Sequence, residues 1–247
     1  MIKNYTALDL ETTGLNPKYE KIIEVGAVRV RDGKITEQFQ SLIYPGKTLP
    51  PKITEITGIT QQELENAPDA SVVLPELLAF LGEDVLLGHS IMFDYSFLKK
   101  ASVNEGLWTS ERQALGLDTL KLSRIYLPQL LSRRLSALCE YYHISHHAHR
   151  ALGDAESTVR LYQILEEQFF DEKVFAPFPL IYTIKRESPI TKTQKERLYQ
   201  LLEQHKIIAD YDVEKLSRNE ASRIIDKIYL QYGRNARSKG KQSVSDS

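Results

Sequence analysis

The sequence predicts an α/β fold with a mixed β-sheet, followed by a small C-terminal appendage of two helices. Two β-rich runs joined by Arg31-Asp32-Gly33 come early, and Asp-Gly between such runs is typical of an antiparallel hairpin. Short apolar strands then alternate with segments whose apolar residues repeat at helical spacing, which implies a mixed sheet with helices packed on it. A chain of 247 residues with 42% hydrophobic content can bury one good core.

The elements of the body follow from local patterns. β-rich or short apolar runs predict strands at residues 5–10, 22–30, 35–43, 85–88 and 115–117. A loop rich in Pro, Gly and Thr is expected from residue 44 to about residue 58. Apolar residues at helical spacing predict four helices, at residues 72–81, 93–103, 131–142 and 155–169. We assign residues 1–172 to this body.

The C-terminal third has a different organisation. Residues 173–190 are predicted to be a linker, because residues 176–189 contain three prolines and no clear period. A small helical module at 191–232 follows, with helices at 193–206 and 218–231, the second opening with the capping box Ser217-Arg-Asn-Glu220. Two helices are expected to bury too little surface alone, so they must dock on the body, on a second copy or on a partner. Residues 233–247 are polar and predicted to be disordered.

Charge and composition limit the classes of protein to which the chain can belong. Residues 1–184 hold 18 Lys and Arg against 24 Asp and Glu, whereas residues 185–247 hold 14 against 9. An acidic body and a basic tail suggest that the body gathers cations and the tail meets a polyanion, although solvated surface charge is an equal alternative. No apolar run is long enough for a membrane span, and the start lacks a signal-peptide pattern. The lone Cys139 excludes an internal disulfide framework, so we expect a cytoplasmic protein.

Asp9-Leu10-Glu11 closes the first predicted strand. Side chains alternate along a strand, so the two carboxylates project from one face. Their mutual repulsion favours a hard divalent cation between them, because magnesium binds carboxylate oxygens, waters and phosphates. Taken alone, Asp-x-Glu is more often a strand that ends in solvated acids.

Two further acids open helices. Asp94 ends the segment His89-Ser-Ile-Met-Phe-Asp94 at a helix start, where an isolated Asp is usually a cap. Asp154 follows His149 in the segment His149-Arg-Ala-Leu-Gly-Asp154 and lies at the edge of the apolar face of the next helix. An acid at that position is hard to explain as an ordinary solvated surface charge. The order of all these signals together is far more specific than any one of them.

In this order the motifs resemble those of the DEDDh exonucleases, also called the DnaQ-like family. The segments that carry the resemblance are DLETTGL (9–15), EITGIT (55–60), HSIMFD (89–94) and HRALGDAE (149–156). Residues 127–144, with Asp118-Thr119 upstream, are similar to the stretch before the last motif in proofreading exonucleases of bacterial replicative polymerases. The resemblance covers about residues 4–168 and implies a ribonuclease H-like sheet. Ser90 departs from it, since relatives usually carry Asn there.

The resemblance implies a two-metal 3′–5′ exonuclease that uses Mg²⁺ or Mn²⁺. Asp9, Glu11, Asp94 and Asp154 would hold the two ions, and His149 would be the general base. The residues expected to bind the terminal nucleotide are Thr12, Thr13, Gly14, Leu15, Thr57, Gly58 and Phe93. Leu15 would wedge against the base, whereas Phe93 is as well explained as a core aromatic.

Several alternatives stay open at this point. His143, His146 and His147 compete with His149, although their spacing does not match a zinc site. DNA is favoured as substrate, RNA is the alternative, and a non-catalytic nucleic-acid-binding scaffold is disfavoured because all five residues are present. The tail is expected to add nucleic-acid affinity or to dock on a polymerase or another replication or repair partner, with a hairpin packed on the body as the alternative.

Overall fold

The centre of the protein is a mixed sheet with the strand order β3-β2-β1-β4-β5-β6. A computed structural model describes residues 1–108, 113–146 and 149–233. The strands are β1 (Tyr5–Thr12), β2 (Ile22–Arg31), β3 (Lys34–Leu42), β4 (Leu86–Gly88), β5 (Ala114–Asp118) and β6 (Phe178–Leu180). The pairs β1–β2, β2–β3 and β5–β6 are antiparallel, and β1–β4 and β4–β5 are parallel. The predicted mixed α/β sheet is confirmed.

Helices cover this sheet and form a separate C-terminal module. The helices of the body are α1 (Pro51–Thr57), α2 (Gln61–Glu65), α3 (Ala70–Leu81), α4 (Ile91–Asn104), α5 (Thr119–Tyr126), α6 (Leu135–Tyr141) and α7 (Ala151–Phe169). The module contains α8 (Lys192–His205), a 3-10 turn (Val213–Lys215) and α9 (Arg218–Tyr232). In the described part of the chain, no helix has the length and apolarity that crossing a bilayer requires.

The early hairpin forms as its turn residues predict. Asp32 and Gly33 have φ angles of 50° and 75°, and Arg31 pairs with Lys34 across the two-residue turn. Two successive positive φ angles match the right-handed twist of the strands, which is why Asp-Gly is favoured there. The predicted antiparallel hairpin is therefore confirmed.

Residues 44–58, expected to form a loop, contain the short helix α1. Pro51 occupies its first turn, where the missing N–H costs nothing, and Gly58 ends it with a φ of 72°. Thr60 and Glu63 then form a capping box at the start of α2. Ile23, Leu49, Ile59 and Leu64 bury one another under this segment. Tertiary packing thus stabilises two helices that are too short to show an apolar period.

Two other boundaries differ from the predicted ones. Residues 131–134 precede the helix, which begins at Leu135, and Leu131 is fully exposed and so contributes nothing to an apolar stripe. The predicted linker at 173–190 contains β6, and the body unit extends to Arg186. Pro179 is compatible with a strand here because β6 lies at the edge of the sheet.

The body buries a core on each face of the sheet. On one face Leu8 and Leu10 pack with residues of α3 and α4. On the other face Tyr5 and Ala7 pack with residues of α5, α6 and α7. Because β1 side chains alternate, Asp9 and Glu11 continue the row of Tyr5 and Ala7 towards α7. This alternation decides which helix the two carboxylates meet.

The C-terminal module, which begins at Glu187, has a core of its own. Its buried residues are Ile190, Leu198, Leu201, Val213, Leu216, Ala221 and Ile228. Val213 and Leu216 come from the segment between the helices, and Ile190 hydrogen bonds through its N–H to the carbonyl of Leu216. As expected, the two helices do not form this core alone, because the connecting segment contributes Val213 and Leu216. Docking on the body, on a second copy or on a partner stays a prediction. The predicted disordered tail, from residue 234 onward, lies outside the described residues.

Candidate active site

The site lies where the row of β1 side chains reaches the N-terminus of α7. Asp9 pairs across the strands with Gly26, and Glu11 pairs with Glu24. A Cβ atom on Gly26 would lie 2.1 Å from the carbonyl carbon of Ala151, so only glycine lets the first turn of α7 pass this close to the sheet. The N-terminal end of a helix attracts negative charge, and here it lies beside the carboxylates of β1.

Glu24 fixes the start of α7. Its carboxylate is fully buried and accepts hydrogen bonds from the Arg150 guanidinium (2.8 Å) and from the main-chain N–H of Ala151 (3.1 Å). The hydrogen bond to Glu24 raises the pKa of Arg150 above its ordinary value. We did not predict roles for Glu24 and Gly26. The signal was an acid and a glycine inside the apolar run Ile22–Val30, since glycine inside a strand often marks a close backbone approach.

Asp94 reaches the site from the first turn of α4. It is buried, and its Oδ1 accepts the main-chain N–H of Leu10 at 3.1 Å, which joins α4 to the end of β1. Ser90, immediately before α4, has a φ of 78°, and its N–H donates to Asp118 Oδ1 at 3.1 Å. The same Asp118 oxygen caps α5 through the N–H groups of Leu120 and Lys121.

His89 supports this region and does not join the acids. Its Nε2 donates to the carbonyl of Arg133 at 2.9 Å, and its Nδ1 lies 2.8 Å from the Thr119 hydroxyl. Burial lowers the pKa of His89, which favours the neutral ring. These contacts agree with the expectation that His89 supports the backbone of the site.

Asp154 lies in the first turn of α7 and has histidine partners at both oxygens. Oδ2 accepts the main-chain N–H of His149 at 3.1 Å, and Oδ1 lies 2.5 Å from Nε2 of His146. His149 adopts a left-handed backbone with a φ of 67°. Non-glycine residues held in that region cluster at functional sites. His147, the other histidine beside them, lies outside the described residues.

The acids lie close enough to affect each other's ionisation. Burial first, and then the charges of Asp94, Asp154 and Glu11, raise the pKa of Asp9 well above its ordinary value. Burial, followed by the charges of Asp154 and Glu24, raises the pKa of Glu11 to about 7. The pKa of Asp94 is also raised, mainly by burial, against backbone hydrogen bonds that lower it. The structure therefore brings the four predicted metal-binding acids together.

This set of donors fits divalent cations. Ligand atoms of Glu11, His149 and Asp154 all lie within 4.8 Å of one another, which is close enough to surround an ion. Carboxylate oxygens are the hard donors that Mg²⁺ and Mn²⁺ prefer. A cation would stabilise the ionised carboxylates against the burial, and the mutual repulsion, that raise the pKa values of the acids.

The turn after β1 carries the residues expected to meet the terminal nucleotide. The Thr12 hydroxyl donates to the carbonyl of Gly14 at 2.7 Å, and the Thr13 hydroxyl donates to Glu20 at 2.5 Å. Although burial acts to raise it, hydrogen bonds from Lys47 and Thr13 hold the pKa of Glu20 below its ordinary value. Leu15 is 85% exposed, so its side chain is available to a ligand. Both threonine hydroxyls are thus engaged in shaping the turn.

The remaining predicted nucleotide contacts come from α1 and α4. The Thr57 hydroxyl donates to the carbonyl of Ile53 and accepts the N–H of Ile59, so it shapes the end of α1 beside Gly58. Phe93 is partly buried against the core and its ring centroid lies 4.9 Å from that of Phe97. Packing accounts for Phe93 without a ligand.

Comparisons with known proteins agree with this architecture. The chain is 36% identical over 168 residues to the DNA polymerase III subunit epsilon of Aquifex aeolicus, covering 67% of this chain and 82% of that subunit. It is 37% identical over 158 residues to the PolC-type DNA polymerase III of Clostridium perfringens. The match spans only 11% of the length of that polymerase.

Solved structures share the fold. Exonuclease X, in complex with 5′ overhanging duplex DNA, superposes with a TM-score of 0.56 at 24% identity, covering 70% of this chain and 97% of exonuclease X. Exonuclease I superposes with a TM-score of 0.62 at 20% identity, covering 70% of this chain and 42% of exonuclease I. At these identities the likeness establishes the fold.

The exonuclease family described as RNase T matches residues 6–162, which include all four acids and His149. This match and the epsilon relative confirm the resemblance seen in the motifs. The chain belongs to the RNase T exonuclease family.

Proposed function

We propose that the protein is a metal-dependent 3′–5′ exonuclease that removes nucleotides from the 3′ ends of DNA as nucleoside 5′-monophosphates. The observation that carries this proposal is the meeting of four carboxylates from β1, α4 and α7, with the His149 imidazole beside two of them. Such a cluster is costly to bury without cations, and phosphodiester hydrolysis is a reaction that bound divalent ions accelerate.

Each residue of the cluster has a distinct part in the proposal. Asp9, Glu11, Asp94 and Asp154 would hold two Mg²⁺ or Mn²⁺ ions. When bound, the ions supply Lewis-acid chemistry at the attacking water and at the departing 3′ oxygen. His149 is exposed, close to Glu11 and Asp154, and would take the proton of the attacking water. Leu15, exposed on the turn after β1, would separate the terminal base from its neighbour.

DNA is favoured over RNA because one similar protein is a subunit of DNA polymerase III and another is a PolC-type DNA polymerase III. Because these names are those of DNA polymerases, we propose that the chain acts in replication proofreading or repair, with a polymerase or another replication or repair protein as its partner. A pocket of this kind holds an end and not a sequence, so we expect single-stranded or frayed ends of any sequence to be cleaved. The lone buried Cys139 is in keeping with a cytoplasmic location.

One gel experiment tests substrate, direction and metal together. The full chain is incubated with matched single-stranded DNA, duplex DNA and RNA, each labelled at the 5′ or the 3′ end, in Mg²⁺, Mn²⁺ or EDTA. We expect a ladder of shortening products from 5′-labelled single-stranded DNA and immediate release of a labelled mononucleotide from the 3′-labelled strand. Shortening from the 5′ end, or activity in EDTA, would refute the proposal, and preferential cleavage of RNA would select the alternative substrate.

An Asp9→Ala variant prepared in the same way is the control for contaminating nucleases. Asp9 is the acid whose pKa is raised by the charges of all three other acids, so its loss removes the centre of the cluster. The variant should give no ladder under any condition. Activity equal to that of the wild type would assign the cleavage to a contaminant.

A further inference from the structure

Two histidines contact Asp154, and the family resemblance gives a role to only one of them. His146 contacts one oxygen of the carboxylate, Oδ1, and His149 contacts the other, Oδ2. His146 presents a ring nitrogen at 2.5 Å, whereas His149 presents its main-chain N–H at 3.1 Å. The ring of His149 is left for other partners, and it lies close to Glu11 as well.

We infer that His146 is a positioning residue that orients the Asp154 carboxylate for metal binding, while His149 is the residue that handles the proton. This inference rests on the proposed function. An ionised carboxylate only accepts hydrogen bonds, so His146 must donate through Nε2–H, the form in which that nitrogen binds no metal. Its contact with Asp154 is therefore a hydrogen bond in which the ring donates to a carboxylate proposed to bind metal.

Geometry leaves Asp154 free to bind a cation at the same time. Each carboxylate oxygen has two lone pairs, and each oxygen of Asp154 accepts one hydrogen bond from the histidine segments. One lone pair on each oxygen therefore remains for a metal ion. The side chain of His146 is 9% exposed and that of Asp154 is 10% exposed, so little water competes for their contact.

A donor of this kind acts on metal affinity more than on the chemical step. Hydrogen bonds to a metal-ligating carboxylate hold it in the conformation that binds the ion, and their loss typically weakens metal binding about 10- to 100-fold. At a high enough metal concentration, the weakened metal site is occupied again and the reaction proceeds. Loss of a residue that accepts the proton of water instead lowers kcat, and added metal does not restore kcat because a metal ion does not replace the missing base.

The test compares full-length His146→Leu, His146→Gln and His149→Ala. Mn²⁺ binding is measured from the electron paramagnetic resonance of free Mn²⁺, and kcat is measured on single-stranded DNA across a Mn²⁺ titration. We expect His146→Leu to weaken Mn²⁺ binding about tenfold or more and to recover most of its kcat at saturating Mn²⁺. His146→Gln, which keeps an N–H donor, should bind Mn²⁺ nearly as the wild type does. His149→Ala should lose about 100-fold in kcat with little change in Mn²⁺ binding.

Exposed His143 supplies the matched control. His143→Asn removes a nearby imidazole and suits the left-handed backbone at that position, where φ is 56°, so it should match the wild type in both measurements. Unchanged Mn²⁺ affinity in His146→Leu, or a loss of kcat that saturating Mn²⁺ does not restore, would overturn the inference. Equal weakening in the Leu and Gln variants would also overturn it. A wild type that binds Mn²⁺ but shortens no 3′ end would instead refute the proposed function, because Mn²⁺ binding is measured without cleavage.

Discussion

Glu11 shows how strongly the site changes the chemistry of a single residue. Burial, and then the charges of Asp154 and Glu24, move its pKa from an ordinary 4.5 to about 7. Between these values the folded protein keeps a proton that the unfolded chain has released. Without metal, Glu11 therefore contributes stability at low pH that is lost as the pH rises from about 4.5 to about 7. Asp9 and Asp94 contribute in the same direction, because their pKa values are also raised.

Divalent metal should reverse this loss of stability. Metal binds the ionised carboxylates, so its stabilising effect grows as protons are removed. We predict that saturating Mg²⁺ raises the Tm more at pH 8 than at pH 6, measured by thermal unfolding against EDTA at each pH. The gain should shrink in an Asp9→Asn variant, which has one charged ligand fewer. An equal gain in Tm at both pH values would contradict the coupling between these protons and the metal.

Ser90 holds a backbone conformation that suits another residue better. Its φ of 78° lies in the left-handed region, and its side chain makes no capping hydrogen bond to α4. Asn tolerates that region better than Ser does. Ser90→Asn should therefore raise the free energy of unfolding by up to about 1 kcal/mol, whereas the β-branched Ser90→Val should lower it by a similar amount. Urea denaturation checks both, and a more stable Val variant would show that backbone strain is not the cause.

At the scale of elements, the site depends on how closely α7 approaches β2. Gly26 allows that approach, and any side chain there meets the backbone of Ala151, which cannot rotate away. We predict that Gly26→Ala costs about 1–3 kcal/mol of stability and displaces Asp154. A displacement of about 1 Å lowers kcat/KM on the order of 100-fold. Urea denaturation and steady-state cleavage of single-stranded DNA measure the two effects.

Gly116→Ala is the matched control within the same sheet. A Cβ on Gly116 would lie 2.6 Å from the side chain of Leu180, whereas a Cβ on Gly26 would meet backbone atoms. The cost of Gly116→Ala should be smaller, and kcat/KM should stay close to that of the wild type. If Gly116→Ala lowered kcat/KM as much as Gly26→Ala does, general loosening of the sheet would explain both variants better than the position of α7.

Some helices and strands were predictable from local sequence patterns and others were not. The hairpin and α7 carry long local signals, namely a turn dipeptide between β-rich runs and an apolar period over five turns. In contrast, β6 has three residues and a proline, and it forms only because β5 offers a free edge. Likewise α1 is stabilised by contacts with residues distant in sequence. No local pattern encodes those contacts.

At the scale of the whole chain, the basic excess at the C-terminus is unevenly distributed. Residues 187–233 hold equal numbers of basic and acidic side chains, eight of each, whereas residues 234–247 hold four basic residues and one acid. The module with its own core is thus neutral by this count, and the excess of five positive charges lies on either side of it, two at Lys185 and Arg186 and three in the last residues of the sequence. The larger part of any electrostatic contribution of this region to nucleic-acid binding should follow these last residues.

A chain that ends at Gly233 tests this prediction. In an Asp9→Ala background, which prevents cleavage, binding to single-stranded DNA is followed by fluorescence anisotropy at several salt concentrations. Loss of four cations should make the slope of log K against log salt shallower by up to about 3. Replacing Arg234, Arg237, Lys239 and Lys241 by Gln separates charge from length. Slopes identical to that of the untruncated protein would exclude a role for these charges.

Sequence patterns alone predicted the family, the mixed sheet, and the five residues expected to hold metal and move the proton, whereas they ended the body at residue 172 and not at Arg186. These follow from motif order, alternation and apolar period, which are properties of short segments. The tertiary structure alone decided that Glu24 and Gly26 fix the start of α7, that His146 contacts Asp154, and that the module completes its own core. Those outcomes depend on distances between segments far apart in the chain, which packing sets and no local pattern specifies.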